Sequence, residues 1–233
     1  MRIALSLLVC ISLVPMMLAG CGGGSGNTVL PAAQYFPLAQ SNQWRYQVTD
    51  YTVDSAGLSS HPARPRHLAG GLLIRSAPVR TAQDDTPGVS VLTVYLSGLK
   101  PIAGANWFEA VTLQPGLDTE TIYYRHDANG LLVRATDEDD SYYLIRRPLE
   151  VGQSWTVPFA TDCRLQIMAL GETVETVAGS FENCLRVDET GTWESVPYRT
   201  ESWFAPNVGL VSTTDYYDGQ IEVGAELLDY DLR

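Results

Sequence analysis

The chain has 233 residues, 45% hydrophobic and 9% aromatic, with 15 basic against 27 acidic side chains and a formal net charge of −12. That apolar and aromatic content excludes a disordered chain, and the acidic balance excludes a nucleic-acid partner, which needs a basic face. Attachment to anionic lipid by charge alone is excluded on the same ground.

Met1-Arg2 is a minimal positive start, and Ile3 to Met17 is apolar apart from Ser6, Ser12 and Pro15. Ala19-Gly20 then places small residues before Cys21, which is the anatomy of a secretory signal. Leu18-Ala19-Gly20-Cys21 resembles the lipobox of bacterial lipoproteins, cut by signal peptidase II. The resemblance implies a signal peptide over residues 1–20, a diacylglyceryl group on Cys21 and acylation (palmitate) of the new amine. Two other readings stay open: an uncleaved anchor, although spanning needs roughly 17–25 apolar residues, and a signal cut elsewhere. Two or more acyl chains anchor stably where one is marginal. Gly22 follows Cys21 where enterobacterial lipoproteins retained in the inner membrane commonly carry Asp. The expected address is therefore the outer membrane, lipid-anchored, with the domain facing the periplasm and the cell surface left open.

Residues 21–34 read as a tether, opening Gly22-Gly23-Gly24-Ser25-Gly26-Asn27. A flexible stretch of that length spans about 20 Å. Residues 35–233 are long enough for one sizeable core or two small ones. The expected fold is all-β, about a dozen mostly antiparallel strands forming a barrel, half-barrel or sandwich.

In chain order, Gln43 to Val53 alternates Trp44, Tyr46 and Val48 with Arg45, Gln47 and Thr49, the period of a half-buried strand. Val53 to Ala69 is a surface loop, its His61-Pro62-Ala63-Arg64-Pro65-Arg66-His67 too rich in proline for a central strand. Thr121 to Arg134 reads as a hairpin turning at Asp127-Ala128-Asn129-Gly130, since Asn-Gly suits the positive φ of tight turns. Further strands are expected at Ser141 to Arg146, Cys163 to Ala169, Glu172 to Val177, Phe181 to Glu189, Tyr198 to Phe204, Val208 to Tyr217 and Gln220 to Asp231. Gly171 and Ala178-Gly179 read as reversals between them, and hairpin-length connections make neighbours antiparallel.

One internal echo stands out. Pro37-Leu38 and Pro148-Leu149 are each followed, five residues later, by a tryptophan that opens a strand, Trp44 and Trp155. It reads as a repeated structural device, with halves 35–147 and 148–233 as candidate pseudo-repeats.

Three stretches resemble a loosely defined group of exported bacterial β-rich proteins. They are Tyr35-Phe36-Pro37-Leu38 with Asn42 and Trp44-Arg45-Tyr46, then Val177-Ala178-Gly179-Ser180-Phe181, then Trp203-Phe204-Ala205-Pro206-Asn207-Val208-Gly209-Leu210-Val211. The resemblance implies one continuous domain and carries no catalytic residues over.

Of four cysteines, Cys10 leaves with the signal and Cys21 is lipidated, so Cys163 and Cys184 remain. Export to an oxidising compartment favours a bridge between them, contributing roughly 3 kcal/mol in the chain-entropy model; two buried free thiols are the alternative. No metal or cofactor is expected, because His61, His67 and His126 lack local zinc spacing. The Asp137-Glu138-Asp139-Asp140 run fails the calcium-loop pattern, with Tyr142 and Pro148 where glycine and glutamate belong. No Gly-x-Ser-x-Gly elbow is present, and Lys100, the single lysine, sits on an apparent turn. Arg64 and Arg66 make the one locally basic loop, suited to bidentate capture of phosphate or carboxylate.

The function expected is a non-enzymatic binding or scaffolding domain of the envelope. Its partner is the membrane through Cys21, with an apolar ligand or an envelope protein as the further candidates. The alternative is an envelope hydrolase whose acidic residues converge only on folding.

Overall fold

Alternation along Gln43–Asp50 (β1) puts Trp44, Tyr46, Val48 and Asp50 on one buried face, and each neighbouring strand continues that face. The computed structural model describes residues 30–51, 68–69, 72–73, 88–138, 140–157, 160–193 and 195–233, with backbone alone at 68–69, 72–73 and 160–161. After β1 come the short hairpin strands β2 (Leu68–Ala69) and β3 (Leu72–Leu73), then β4 (Gly88–Ile102), β5 (Ala105–Leu113), β6 (Glu120–Asp127), β7 (Gly130–Arg134) and β8 (Tyr142–Arg146). The second half supplies β9 (Ser154–Val157), β10 (Ala160–Thr176), β11 (Gly179–Trp193), β12 (Val196–Ala205), β13 (Gly209–Tyr217) and β14 (Gln220–Asp231). The expected all-β class is what the chain adopts.

Twelve of these strands form one antiparallel sheet in the order β8-β7-β6-β5-β4-β1-β14-β13-β12-β11-β10-β9, curled into a nearly closed barrel. Two meanders of six strands therefore meet where the first strand pairs with the last, Gln43 opposite Asp231 through Asp50 opposite Val223. At the other junction, β8 and β9 are the two ends of the sheet.

A barrel of eight strands is about filled by its own side chains, and wider ones tend to leave space. Here the chain preceding β1 fills it. Residues 32–34 form a single 3-10 turn with Ala32 buried, and Tyr35 and Phe36 join the core. The Phe36 ring lies 5.4 Å from Trp44, 4.8 Å from Tyr124 and 6.4 Å from Phe204, touching strands from both halves. His126 Nε2 bonds the Phe36 carbonyl at 2.8 Å, and the Asn207 amide donates to Gln34. Residues 30–34, read above as the end of the tether, thus belong to the folded domain.

The two tryptophans of the echo do the same work. Trp44 and Trp155 are both buried, and each indole Nε1 donates 2.6 Å to a distant backbone carbonyl, that of Val208 and that of Tyr143 respectively. Tyr143 lies in β8, so the Trp155 bond ties together the two sheet ends. The Trp44 bond depends on a close approach: a Cβ at Gly209 would stand 3.3 Å from the indole nitrogen, and φ there is +109°.

Some details match the sequence reading and others differ from it. The Asp127–Gly130 turn forms as expected, with Asp127 accepting the amides of Asn129 and Gly130. Gly171, by contrast, is no reversal; it lies within the continuous β10, at an irregularity in the pairing with β11. Ala178-Gly179 is the true hairpin turn, its tip held by the Ala178 amide on the Leu227 carbonyl. Strands β4 and β5 were not expected, and Lys100 lies within β4 rather than on a turn.

Truncating Trp44 or Trp155 to alanine removes a buried indole and its hydrogen bond. Each change should cost about 3–5 kcal/mol, a large part of the roughly 5–15 kcal/mol of a whole domain. Thermal unfolding should shift down by about 10 °C or more; melting within a few degrees of wild type for both variants would show that the echo is not a core device.

Candidate functional site

Of the residues singled out in the sequence, Cys21, Arg64, Arg66, His61 and His67 lie outside the described residues. Cys163 and Cys184 are inside, and both are free and buried. The expected bridge is not formed, and the ladder explains why. Cys184 pairs across with Glu172, whereas Cys163 adjoins Arg164, the partner of Thr190, much further along the same two strands. At about 3.3 Å per residue the thiols are roughly 25 Å apart along the strand, against a Cα separation below about 7 Å for a disulfide.

Neither thiol is placed for nucleophilic work. Burial, reinforced by the Glu189 carboxylate, pushes the Cys163 thiol far above its ordinary range, and its sulfur lies 3.4 Å from Glu189 Oε1. Burial and then Glu172 push Cys184 up to about 11. A reactive cysteine needs the opposite, an electropositive and partly exposed setting that lowers its pKa.

Folding gathers carboxylates inside the barrel, as the hydrolase reading required. Asp50, Glu120, Glu189 and Asp215 are all buried, among Thr112, Gln114, Thr200, Ser202 and Thr213. Thr200 donates to Asp215, and Glu189 accepts from Tyr198 at 3.2 Å and from the Cys163 thiol at 3.4 Å. Burial and that carboxylate both push the Tyr198 phenol up, which keeps it a donor. These bonds satisfy buried acceptors that would otherwise be costly. No group of three or more histidine, cysteine or acidic side chains is arranged to hold a metal among the described residues.

The outer face carries two tryptophan–arginine clusters, one in each half. On β11 and β12, Arg186 stacks 5.1 Å from the Trp203 ring and grips Asp188 bidentately at 2.7 and 2.9 Å. Its Nη2 also reaches Glu201 Oε1 at 2.7 Å, to which Arg199 adds a contact of 3.0 Å. Trp203 Nε1 in turn donates 2.8 Å to Glu172. An open cleft of about 430 Å³ adjoins this cluster, lined by Glu172, Thr173, Val174, Glu175, Trp203 and Ser212. Bonding to Asp188 and the neighbouring acids raise the Arg186 pKa further.

In the first half, Ile102, Trp107, Tyr123 and Leu132 form a small buried cluster on the outside of the sheet. Arg125 and Arg134 stand 4.9 and 5.3 Å from the Trp107 ring, and Lys100 stands 4.9 Å from that of Tyr123. The cross-strand pairs responsible, Lys100 with Trp107 and Tyr123 with Arg134, follow from the register of β4 to β7. This cationic, aromatic patch is the candidate site. Sequence reasoning missed it because its members are spread over four strands, and the only local trace is the basic–aromatic alternation of Tyr123 and Arg125.

No protein-family model and no curated protein matches the chain. Among solved structures it is similar to a Bacteroides fragilis protein described as exported, with a YmcC-like fold, at 14% identity and a TM-score of 0.48. It is also similar to a Parabacteroides distasonis protein described as a lipoprotein, at 12% identity and a TM-score of 0.40. Each comparison covers 84% of this chain and 98% of the other.

The cysteine geometry gives a direct test. Both thiols should resist alkylation in the native protein at pH 8, and both should react once the unreduced protein is denatured. Protection that persists in the denatured, unreduced state would restore the bridge. Cys184 also makes stability depend on pH. Below its ordinary value of 9.0 both states hold the proton; between there and about 11 the unfolded chain ionises first, so stability falls as pH rises. Cys184→Ala should flatten part of that decline in an unfolding titration.

Proposed function

We propose that this protein is a lipoprotein of the outer membrane, held through a lipidated Cys21, whose barrel acts without catalysis as a scaffold or binding platform. The observation that carries the platform reading is the occupied barrel. Trp44, Tyr46, Tyr124 and Phe204 are at most 1% exposed, and Phe36 is inserted among them from the preceding segment. A carrier of apolar ligands needs room in its core. This core is closed by the chain itself, so partners meet the outer surface and a protein or polar envelope component is favoured over a lipid cargo.

The anchoring half rests on Leu18-Ala19-Gly20-Cys21 and the glycine-rich stretch that follows. The outer membrane is favoured by Gly22 in place of an inner-membrane retention aspartate. The acidic surface charge gives no independent hold on anionic lipid, which leaves attachment to the acyl chains.

Cys21→Ser should abolish metabolic labelling with palmitate and move the protein from the membrane to the soluble periplasmic fraction. Density separation of the two membranes should place the wild-type protein in the outer one. Unchanged labelling of the variant would remove the anchor, and co-migration with the inner membrane would overturn the address.

A further inference from the structure

The two outer clusters use one device and differ in how its charge is answered. Each stacks an arginine on a tryptophan of the adjoining strand, which fixes the guanidinium plane and strips part of its water. Arg186 is answered by Asp188 and Glu201. Arg125 is not. Among the described residues no carboxylate reaches it, and its buried Nε has no hydrogen-bond acceptor. The acids around it are engaged elsewhere. Glu109 accepts from Ser97, Asp127 accepts from its own turn and from Tyr143, and Asp137 is paired with Lys100. Native proteins leave few buried polar atoms without a partner, and such an atom asks for an explanation.

The geometry points to Arg125 as the centre of a surface site for a singly charged oxyanion, with Trp107 as its backing and Arg134 and Lys100 at its sides. Arg125 is partly exposed, so its Nη groups can meet a ligand while the stem and Nε are held against the sheet. With Nε unanswered, compensation of the charge falls on those Nη groups, which present parallel donors to two oxygens at once. The group recognised is one that spreads a single negative charge over two equivalent oxygens, a carboxylate or a phosphodiester. An acidic sugar and a lipid headgroup are both sources of that chemistry. This assignment deepens the platform reading given above by naming a ligand class for its outer face, and it does not depend on where the protein is anchored.

The test uses the full-length protein in neutral detergent at low ionic strength. Glucuronate and dimethyl phosphate are titrated by calorimetry, and mixed micelles doped with phosphatidylglycerol or phosphatidylcholine are titrated in parallel. Saturable binding of a soluble anion is expected, weakened at least tenfold by Arg125→Gln. Arg125→Lys should also weaken it, because an ammonium keeps the charge and loses the paired donors. Arg45→Gln, at an exposed ion pair with Asp229, should bind as wild type. Binding to phosphatidylglycerol micelles alone, lost in Arg125→Gln, would assign the same site to a lipid source. Absence of saturable binding to every anion by the wild-type protein would overturn the site, as would equal affinities for wild type and folded Arg125→Gln. The anchor test on Cys21 is read by labelling and fractionation, so its failure is distinguishable from failure here.

Discussion

Filling a twelve-stranded barrel is the constraint from which most of this structure follows. Side chains of the strands alone suffice for about eight, and an empty apolar interior forfeits contacts on every wall. The protein meets the shortfall in two ways. It lines the interior with large rings, Trp44, Tyr46, Tyr124 and Phe204, and it packs Ala32, Tyr35 and Phe36 of the segment before the first strand into the core. Phe36 is the residue on which both converge, in ring contact with strands of each half. Two backbone carbonyls of that segment, those of Phe36 and Gln34, accept from His126 and the Asn207 amide of the barrel.

The same constraint accounts for the motifs that looked most distinctive. Asn207 and Gly209 shape a turn that must do three things at once: reverse the chain between β12 and β13, receive the Trp44 indole on the Val208 carbonyl, and bond Gln34 of the inserted segment. Tyr46 reinforces it through the Leu210 carbonyl at 3.1 Å. Trp155 repeats the device where the sheet ends. There the indole links β9 to β8 by a side chain, whereas β1 and β14 are joined by a backbone ladder. The two halves are thus alike in strand count and in how a Pro-Leu segment delivers an indole, and unlike in how they are sealed.

Much of the strand pattern was legible because alternation and turn chemistry are local. The β1 face, the Asp127–Gly130 turn and the span of β14 could all be read from neighbouring residues. What escaped has an identifiable cause. Gly98 and Pro101 flank Lys100 and give it the look of a turn although β4 runs on through them, and Gly171 resembles a reversal although its freedom is used for a bulge. Counting cysteines could not place Cys163 and Cys184, because a bridge depends on register and a strand pair can hold two cysteines far apart along its length. The candidate site was hidden for the same reason. Trp107 meets Arg125 and Arg134 only through pairings set by three strands, and nothing in the spacing 107, 125, 134 has a period.

An interior given over to stability leaves chemistry to the outside, and the outside is where charge is unevenly answered. On a protein carrying a net −12, the mean field of the molecule favours the pairing of a cation with an acid. Arg186 follows that rule, with two carboxylates within 2.7 Å. Around Arg125 the acids are turned away by specific bonds, from Ser97 to Glu109, from Tyr143 to Asp127 and from Lys100 to Asp137. Stacking on Trp107 supplies attraction to the ring face but no negative charge. The first half of the barrel therefore retains, on a rigid sheet, a partly desolvated cation whose complement is absent from the described residues. That is the physical condition under which an external oxyanion gains most from binding and the folded protein loses least by waiting for it.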